Sequence, residues 1–317
     1  MPELPEVETI RRELEKRIIG HTIKRVEVLA EKTVHGPVPA FKKQLIGNSF
    51  TRIDRRGKLL ILSFKRDLPR SSPKAMVRGG YKLLIHLKMT GQLVYKYGKE
   101  LTFGGHNISE SDLKVPNKFT RVAIHFSDKG TLYFNDMRRF GFLKLVKDGE
   151  VEALVNKSYG LDALDPKFSK QYLTEALKRR GKTSIKAALL DQKHLAGIGN
   201  IYADEVCFAT GILPSRKVST LSSAKIGEIY TAIKRVLNLA IKHGGTTFTS
   251  KVLAGHYIRS DGGMGNFTER LKVFDRTGQQ CLRCLATRDP TKRDKIGLIQ
   301  KTRVAGRGTH FCPVCQH

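Results

Sequence analysis

The sequence predicts an α+β protein: an N-terminal helix plus a β-sandwich or barrel, then a helical C-terminal segment ending in a short cysteine hairpin. Three observations predict it. Short β-rich runs broken by turn residues fill residues 22–147, helical periodicity takes over after about 150, and four of five cysteines form two C-x2-C pairs at the end. A chain of 317 residues is long enough for two domains and an appendage, with expected boundaries at 1–150, 151–270 and 271–317.

The elements follow from pattern. Val7, Ile10, Leu14 and Ile18 recur at helical spacing among charged residues and predict a helix over 5–19. Runs at 22–29, 44–54, 58–65, 81–87, 120–127, 131–135 and 141–146 predict strands. Gly57, Gly79-Gly80, Gly91, Gly104-Gly105 and Asp128-Lys129-Gly130 punctuate them. Stretches 66–80 and 97–118 are expected to be polar loops. Helices are expected at 169–180 and at 184–191, where Ser184 offers an N-cap. The glycine-rich turn Leu195–Asn200 precedes a helical run at 201–209. The clearest helix spans 222–242, with Ile226, Ile229, Ile233, Leu237 and Ile241 on one stripe and Gly244 beyond its end. Regularity fades over 245–280, and Asp261-Gly262-Gly263-Met264-Gly265 predicts a loop.

Charge narrows the function classes. Lys and Arg number 58 against 29 Asp and Glu, a net charge of +29. Such an excess calls for a polyanionic partner, and nucleic acid outranks a membrane surface because no basic amphipathic anchor is visible. No run approaches the roughly 18 apolar residues of a membrane span. The start, Met1-Pro2-Glu3-Leu4-Pro5-Glu6, is acidic and lacks the apolar core of an export signal, so a cytoplasmic location is expected. In that compartment Cys281, Cys284, Cys312 and Cys315 read as ligands closing a tetrahedron around one structural Zn²⁺. The 27 residues between Cys284 and Cys312 exceed the usual spacing of about 15–20, so the hairpin is expected to carry an insertion near 288–295. Cys207 reads as a buried thiol. The helix, glycine turn and helix around 195–200 read either as a clamp on DNA phosphates or as a plain packed helical hairpin.

Several segments together resemble the formamidopyrimidine-DNA glycosylase family. They are Met1–Glu8, His86-Leu87-Lys88-Met89-Thr90-Gly91, Asp136-Met137-Arg138-Arg139-Phe140-Gly141, Gly197–Glu205, Gly244-Gly245-Thr246-Thr247 and Gly306–Cys312, in the family's order over nearly the whole chain. Glu3-Leu4-Pro5-Glu6-Val7 is similar to the oxidised-purine branch rather than the endonuclease VIII group. The resemblance implies a helix-two-turn-helix domain with a zinc-ribbon hairpin after the sandwich, DNA crossing between two domains, and a monomer acting on duplex DNA with oxidised purines or abasic sites. It also implies a bacterial-type, nucleoid-associated enzyme.

The resemblance also implies roles. Loss of Met1 would expose Pro2 as the terminal secondary amine and nucleophile. An α-amino group, with a pKa near 7.7–8.0 against about 10.4 for lysine, keeps roughly 300-fold more neutral amine at pH 7. Glu3 is implied as general acid/base, Glu6 as orienting the sugar or the amine, and Lys58 as touching phosphate and assisting β-elimination. Arg307 is implied as gripping the flanking phosphates and taking part in δ-elimination. Met89, Arg138 and Phe140 match residues that fill the space of a flipped base, and Lys182 and Asn200 match residues holding the DNA backbone. Glu8 reads as a solvated helix position. The chain departs from the family where Phe119 replaces a histidine, where Tyr159-Gly160-Leu161-Asp162 replaces a leucine-glycine-proline linker, and in the unusual composition of the lesion-capping loop near 248–267. A pyrimidine-lesion glycosylase and a catalytically silent DNA-binding protein of the same shape are the rival readings.

Overall fold

A computed structural model of the chain describes residues 1–66, 80–105, 114–246, 267–287 and 296–317. The expected loop at 66–80, the capping loop at 248–267 and the insertion at 288–295 lie wholly or mostly outside these residues. Contacts group the chain into two compact units: Met1–Lys157 with His243–Asn266, and Ser158–Lys242 with Phe267–His317.

The first unit opens with helix α1 (Leu4–Ile18), strand β1 (Ile23–Val28) and helix α2 (Val38–Leu45). Eight antiparallel strands follow: β2 (Asn48–Arg56), β3 (Leu59–Arg66), β4 (Tyr81–His86), β5 (Gly91–Tyr97), β6 (Glu100–Gly105), β7 (Thr120–Phe126), β8 (Thr131–Asp136) and β9 (Phe142–Lys147), with α3 (Asp148–Ser158) at the end. Together with β1 they form a four-stranded sheet ordered β2-β3-β4-β9 and a five-stranded sheet ordered β1-β7-β8-β5-β6. Alternating residues of both sheets, among them Leu60, Leu62, Leu83 and Ile85 from one and Leu93, Ile124 and Phe134 from the other, share a single buried core with Val7, Ile10, Leu14 and Ile18 of α1. The sandwich is therefore the resolved form of the two architectures the strand pattern allowed.

Three local expectations are corrected. The stretch 97–118 is not all loop, because β6 occupies Glu100–Gly105 and pairs with β5, itself unanticipated. Edge strand β6 alternates for only four residues, Glu100-Leu101-Thr102-Phe103, before two glycines, so its strand signal is short. Gly104 is there for packing: a Cβ would lie 2.4 Å from Cγ1 of Ile10, so only glycine lets α1 approach. The expected strand at 44–54 begins at 48, since residues up to Leu45 belong to α2, which buries only Phe41 and Leu45, one helical turn apart.

The second unit contains β10 (Leu161–Asp162), α4 (Lys170–Lys178), α5 (Ile185–Leu190), β11 (Leu195–Ala196), α6 (Asn200–Ala209), α7 (Ser223–Lys242), α8 (Leu282–Ala286), β12 (Gln300–Val304) and β13 (Arg307–Phe311). Ser169 and Ser184 cap α4 and α5 by accepting the backbone N–H of Tyr172 and Ala187. Strands β12 and β13 form an antiparallel hairpin turning at Ala305-Gly306, both left-handed. Among the described residues no helix is long and apolar enough to cross a membrane.

One buried imidazole predicts a pH response of the sandwich. His86 is 7% exposed, and its Nδ1 accepts the backbone N–H of Lys88 at 3.0 Å. Burial, with Lys88 and Lys58 adding repulsion, lowers its pKa from 6.5 to about 3. The unfolded chain therefore binds this proton first. The stability that neutral His86 contributes is whole above pH 6.5 and is lost progressively as pH falls from 6.5 toward 3, by up to ~1.4 kcal/mol per pH unit. Thermal melts at pH 7, 6 and 5 are expected to fall more steeply for the native protein than for His86→Asn, which keeps an acceptor without titrating; parallel slopes would rule this out.

Candidate active site and nucleic-acid interface

In the first unit the chain start is folded into the protein. Pro2 is buried and Glu3 is only 2% exposed, while Met1 remains half-exposed. The left-handed Gly57 and its neighbour Lys58 form the two-residue turn that joins β2 to β3. Lys58 is 6% exposed, far from the solvated state of most lysines. The Met1 ammonium, Glu3, Glu6 and Lys58 form one electrostatic group. Burial chiefly lowers the ammonium pKa from its ordinary 8.0; Lys58 acts in the same direction and the two carboxylates oppose it. Glu6 is tied on both sides: Oε2 accepts the N–H of Glu3 at 2.9 Å, and Oε1 accepts the N–H of Thr246 at 2.7 Å and its hydroxyl at 3.1 Å. The Gly244-Gly245-Thr246 stretch is needed there because Gly245 is left-handed and a Cβ would come within 2.7 Å of Oε1 of Glu6.

Glu8 is not a solvated helix position. It is 8% exposed and receives Arg12 Nε at 2.8 Å, Arg11 Nη2 at 3.1 Å and Arg55 Nε at 3.1 Å. Burial works to raise its pKa, but the hydrogen bonds from Arg11 and Arg12 and the Arg55 charge outweigh it and hold the carboxyl at about 2. Arg55 also donates through Nη1 to the Gly57 carbonyl at 2.9 Å, so this cluster braces the turn that carries Lys58. Helical periodicity placed Glu8 on the polar face; the arginines that cover it come from a turn further along α1 and from β2.

A second group stands on the connections that leave β4 and β8. Met89 is 39% exposed and Phe140 53%, so neither belongs to the core. The Arg138 guanidinium lies 4.8 Å from the centre of the Phe140 ring, and Nη1 is 3.3 Å from Sδ of Met89. The three side chains make one exposed tip, apolar with a single charge. Lys88 and Arg139 beside it adopt left-handed backbone conformations, a strained choice for residues with a Cβ. Asp136, wholly buried, holds both connections: Oδ1 accepts the Thr90 hydroxyl and the Arg138 N–H, and Oδ2 accepts the Gly141 N–H at 2.7 Å. Asp136 and Thr90 were legible only as members of a motif; that one carboxylate joins two segments is a tertiary fact. Phe119, half-buried, lies under the ammonium of Lys118.

In the second unit Lys182 and Arg307 are exposed, and Asn200 opens α6. Nδ2 of Asn200 donates to the carbonyl of Gly308 at 3.0 Å, tying α6 to the hairpin that bears Arg307. Sγ atoms of Cys281, Cys284, Cys312 and Cys315 all lie within 4.8 Å of one another, with 3.6 Å between Cys281 and Cys315 and 3.7 Å between Cys284 and Cys312. A ZnS₄ tetrahedron with bonds of about 2.3 Å has edges of about 3.8 Å, so these four thiols form a site for one structural zinc ion. Burial pushes the thiol pKa of the fifth, Cys207, upward, leaving it an inert core group.

Comparison with known proteins follows the same layout. Residues 1–143 match the formamidopyrimidine-DNA glycosylase N-terminal domain, 159–252 the formamidopyrimidine-DNA glycosylase H2TH domain, and 297–317 the zinc finger found in FPG and IleRS. The chain is 36% identical over 318 residues to the formamidopyrimidine-DNA glycosylase of Pelotomaculum thermopropionicum, covering 100% of this chain and 99% of that one. It is 38% identical over 320 residues to that of Symbiobacterium thermophilum, covering 100% and 89%. Among solved structures, it is similar to the Lactococcus lactis Fpg in complex with abasic-site DNA (TM-score 0.79, 32% identity) and to MutM in complex with DNA containing carbocyclic 8-oxo-G (TM-score 0.79, 33% identity), each over 100% of both chains.

Proposed function

We infer a function from one premise: the chain belongs to the formamidopyrimidine-DNA glycosylase family. The proposed reaction is removal of oxidised purines, 8-oxoguanine and formamidopyrimidines, from duplex DNA, followed by strand cleavage at the resulting abasic site. The observation that carries this reading is the burial of Pro2, Glu3 and Lys58 at the chain start, with Glu6 accepting the N–H of Glu3. Once Met1 is lost, a secondary amine held there beside a carboxylate and a lysine has the parts for covalent catalysis at a sugar carbon.

With Met1 removed, the Pro2 nitrogen lone pair forms a bond to C1′ as the bond to the damaged base breaks, and the base leaves with a proton. Glu3 supplies or relays protons to the opening sugar. As the C1′–O4′ bond breaks, O4′ takes a proton and the proline nitrogen gives up its own, so the adduct is an iminium, permanently charged because the amine is secondary, and it draws electrons from C2′. Loss of the C2′ proton expels the 3′ phosphate, and loss of the C4′ proton then expels the 5′ phosphate. Water hydrolyses the remaining iminium and regenerates the amine. Lys58 and Arg307 serve as phosphate partners, Arg307 with the flat guanidinium that suits two oxygens at once. The tip formed by Met89, Arg138 and Phe140 fits the space of an extruded base: two apolar wedges that stack, and one donor group for the acceptors of the orphaned partner. Lys182 and Asn200 fit backbone contacts, and Zn²⁺ holds the hairpin in shape. The enzyme is proposed to work as a monomer in the cytoplasm on nucleoid DNA.

Borohydride trapping tests the reading. Reduction of the iminium is expected to crosslink the protein to an 8-oxoguanine duplex, and unlabelled 8-oxoguanine duplex is expected to compete at least ~10-fold better than thymine glycol duplex, about 1.4 kcal/mol of discrimination. Binding without crosslinking would favour a silent binding protein, and the reverse competition order a pyrimidine-lesion enzyme.

A further inference from the structure

The four cysteines shape the tip of the zinc hairpin, but they do not by themselves fix how that hairpin lies on the helices of its own unit. A buried ion pair does. Lys186, in α5, and Asp204, in α6, are both fully buried, and Nζ stands 2.7 Å from Oδ1. Neither belongs to any motif singled out in the sequence for chemistry, except that Asp204 lies inside the Gly197–Glu205 segment. An ion pair with no water access is costly to desolvate, and its retention calls for a reason beyond stability.

The remaining bonding capacity of the pair is spent almost wholly on β13. Nζ of Lys186 donates to the Gly308 carbonyl at 3.0 Å and to Oγ1 of Thr309 at 2.8 Å. Oδ2 of Asp204 accepts the N–H of His310 at 2.8 Å. Thr309 is fully buried and His310 is 3% exposed, and Asn200 adds its own bond to Gly308. Three consecutive residues are thus held immediately after Arg307, which itself stays exposed at the hairpin turn. Nζ thus donates to two hairpin oxygens and stands in ion-pair contact with the Asp204 carboxylate, whose other oxygen takes a backbone N–H of the same strand, so β13 is tied to both helices at successive residues.

We propose that Lys186 and Asp204 are positioning residues: a buried lock between α5, α6 and β13 that aims Arg307 at the phosphate flanking the lesion. The proposal rests on the phosphate role given to Arg307 above. Loosening the lock leaves the zinc tetrahedron and the amine chemistry intact but lets the guanidinium wander, so δ-elimination suffers more than β-elimination.

The test uses the full-length protein in four forms: native, Arg307→Ala, Lys186→Met/Asp204→Leu, which removes both charges together, and Thr309→Val, which keeps side-chain volume and deletes one acceptor of Lys186 together with the hydroxyl's own bond to the Arg307 carbonyl. Each is loaded with Co²⁺ to read the thiolate spectrum, then given abasic duplex. Borohydride trapping and the ratio of β to β,δ products are measured. The double variant is expected to keep the Co²⁺ spectrum and the trapped adduct, and to shift the product ratio toward β-elimination by ~10-fold, as Arg307→Ala does. Its salt slope is expected to fall by about 1, as for loss of one phosphate contact. Thr309→Val is expected to move the ratio the same way by ~3-fold, less than the double variant because Gly308 still holds the ammonium. A general loss of stability would lower all products together and leave the ratio alone. If Arg307→Ala shifts the ratio and Thr309→Val does not, the lock is refuted, whether or not the double variant folds. If Arg307→Ala itself leaves the ratio unchanged, the phosphate role of Arg307 has failed and the lock's purpose falls with it.

Discussion

Pro2→Gly is expected to cut borohydride-trapped adduct with abasic or 8-oxoguanine duplex by ~100-fold or more, while duplex affinity stays within about threefold. The large effect follows from chemistry at one atom. Proline leaves a secondary amine whose adduct cannot shed its charge, whereas glycine leaves a primary amine whose imine must stay protonated to draw electrons from C2′. Glycine also gives the terminus a freedom that proline lacks, so the nitrogen is less often in line for attack. Affinity is expected to hold because it derives from many phosphate contacts, not from the amine. Adding one residue before Pro2 converts the amine to an amide and is expected to eliminate the adduct outright. Peptide mapping of the native adduct decides the matter: a sugar remnant on Lys58 or another side chain would overturn the role of Pro2.

Removing zinc is the second large effect. The hairpin has almost no core of its own: Cys281, Cys284, Cys312 and Ile299 pack with Phe208 and Val273, so half of its apolar cluster consists of the metal's ligands. Apparent zinc affinities of about 10–16 kcal/mol in small zinc-finger peptides show how much folding energy such a site carries. Cys312→Ser, or exhaustive chelation, is expected to unfold residues 296–317, to weaken duplex binding by ~100-fold and to flatten its salt dependence, since Arg307 and its neighbours lose their fixed place. The sandwich has a separate core and is expected to melt unchanged. Hydrogen exchange resolved by peptide distinguishes the two units. Native protection across 296–317 in metal-free protein would contradict the structural role of the ion.

The candidate site residues could be named from the sequence because their motifs are local. Met1–Glu8, the two C-x2-C pairs and Gly306–Cys312 each carry their own spacing, and a charge of +29 needs no fold to be read. Helices α1 and α7 were equally legible, since a 3.6-residue period states both the element and its buried face. Strand β6 was not, because its alternation lasts only from Glu100 to Phe103 before two glycines, and Gly104 is set by the approach of α1. What only the tertiary structure decided is which distant groups complete one another. Glu8 looks solvated until Arg55 arrives from β2, Asp136 becomes the anchor of two loops only when Thr90 comes beside it, and Lys186 acquires a purpose only once Asp204 and Gly308 surround it. A side chain's identity fixes what it can bond, but hydrogen bonds reach about 3 Å, and which partner stands within that reach is settled by the packing of elements far apart in the chain.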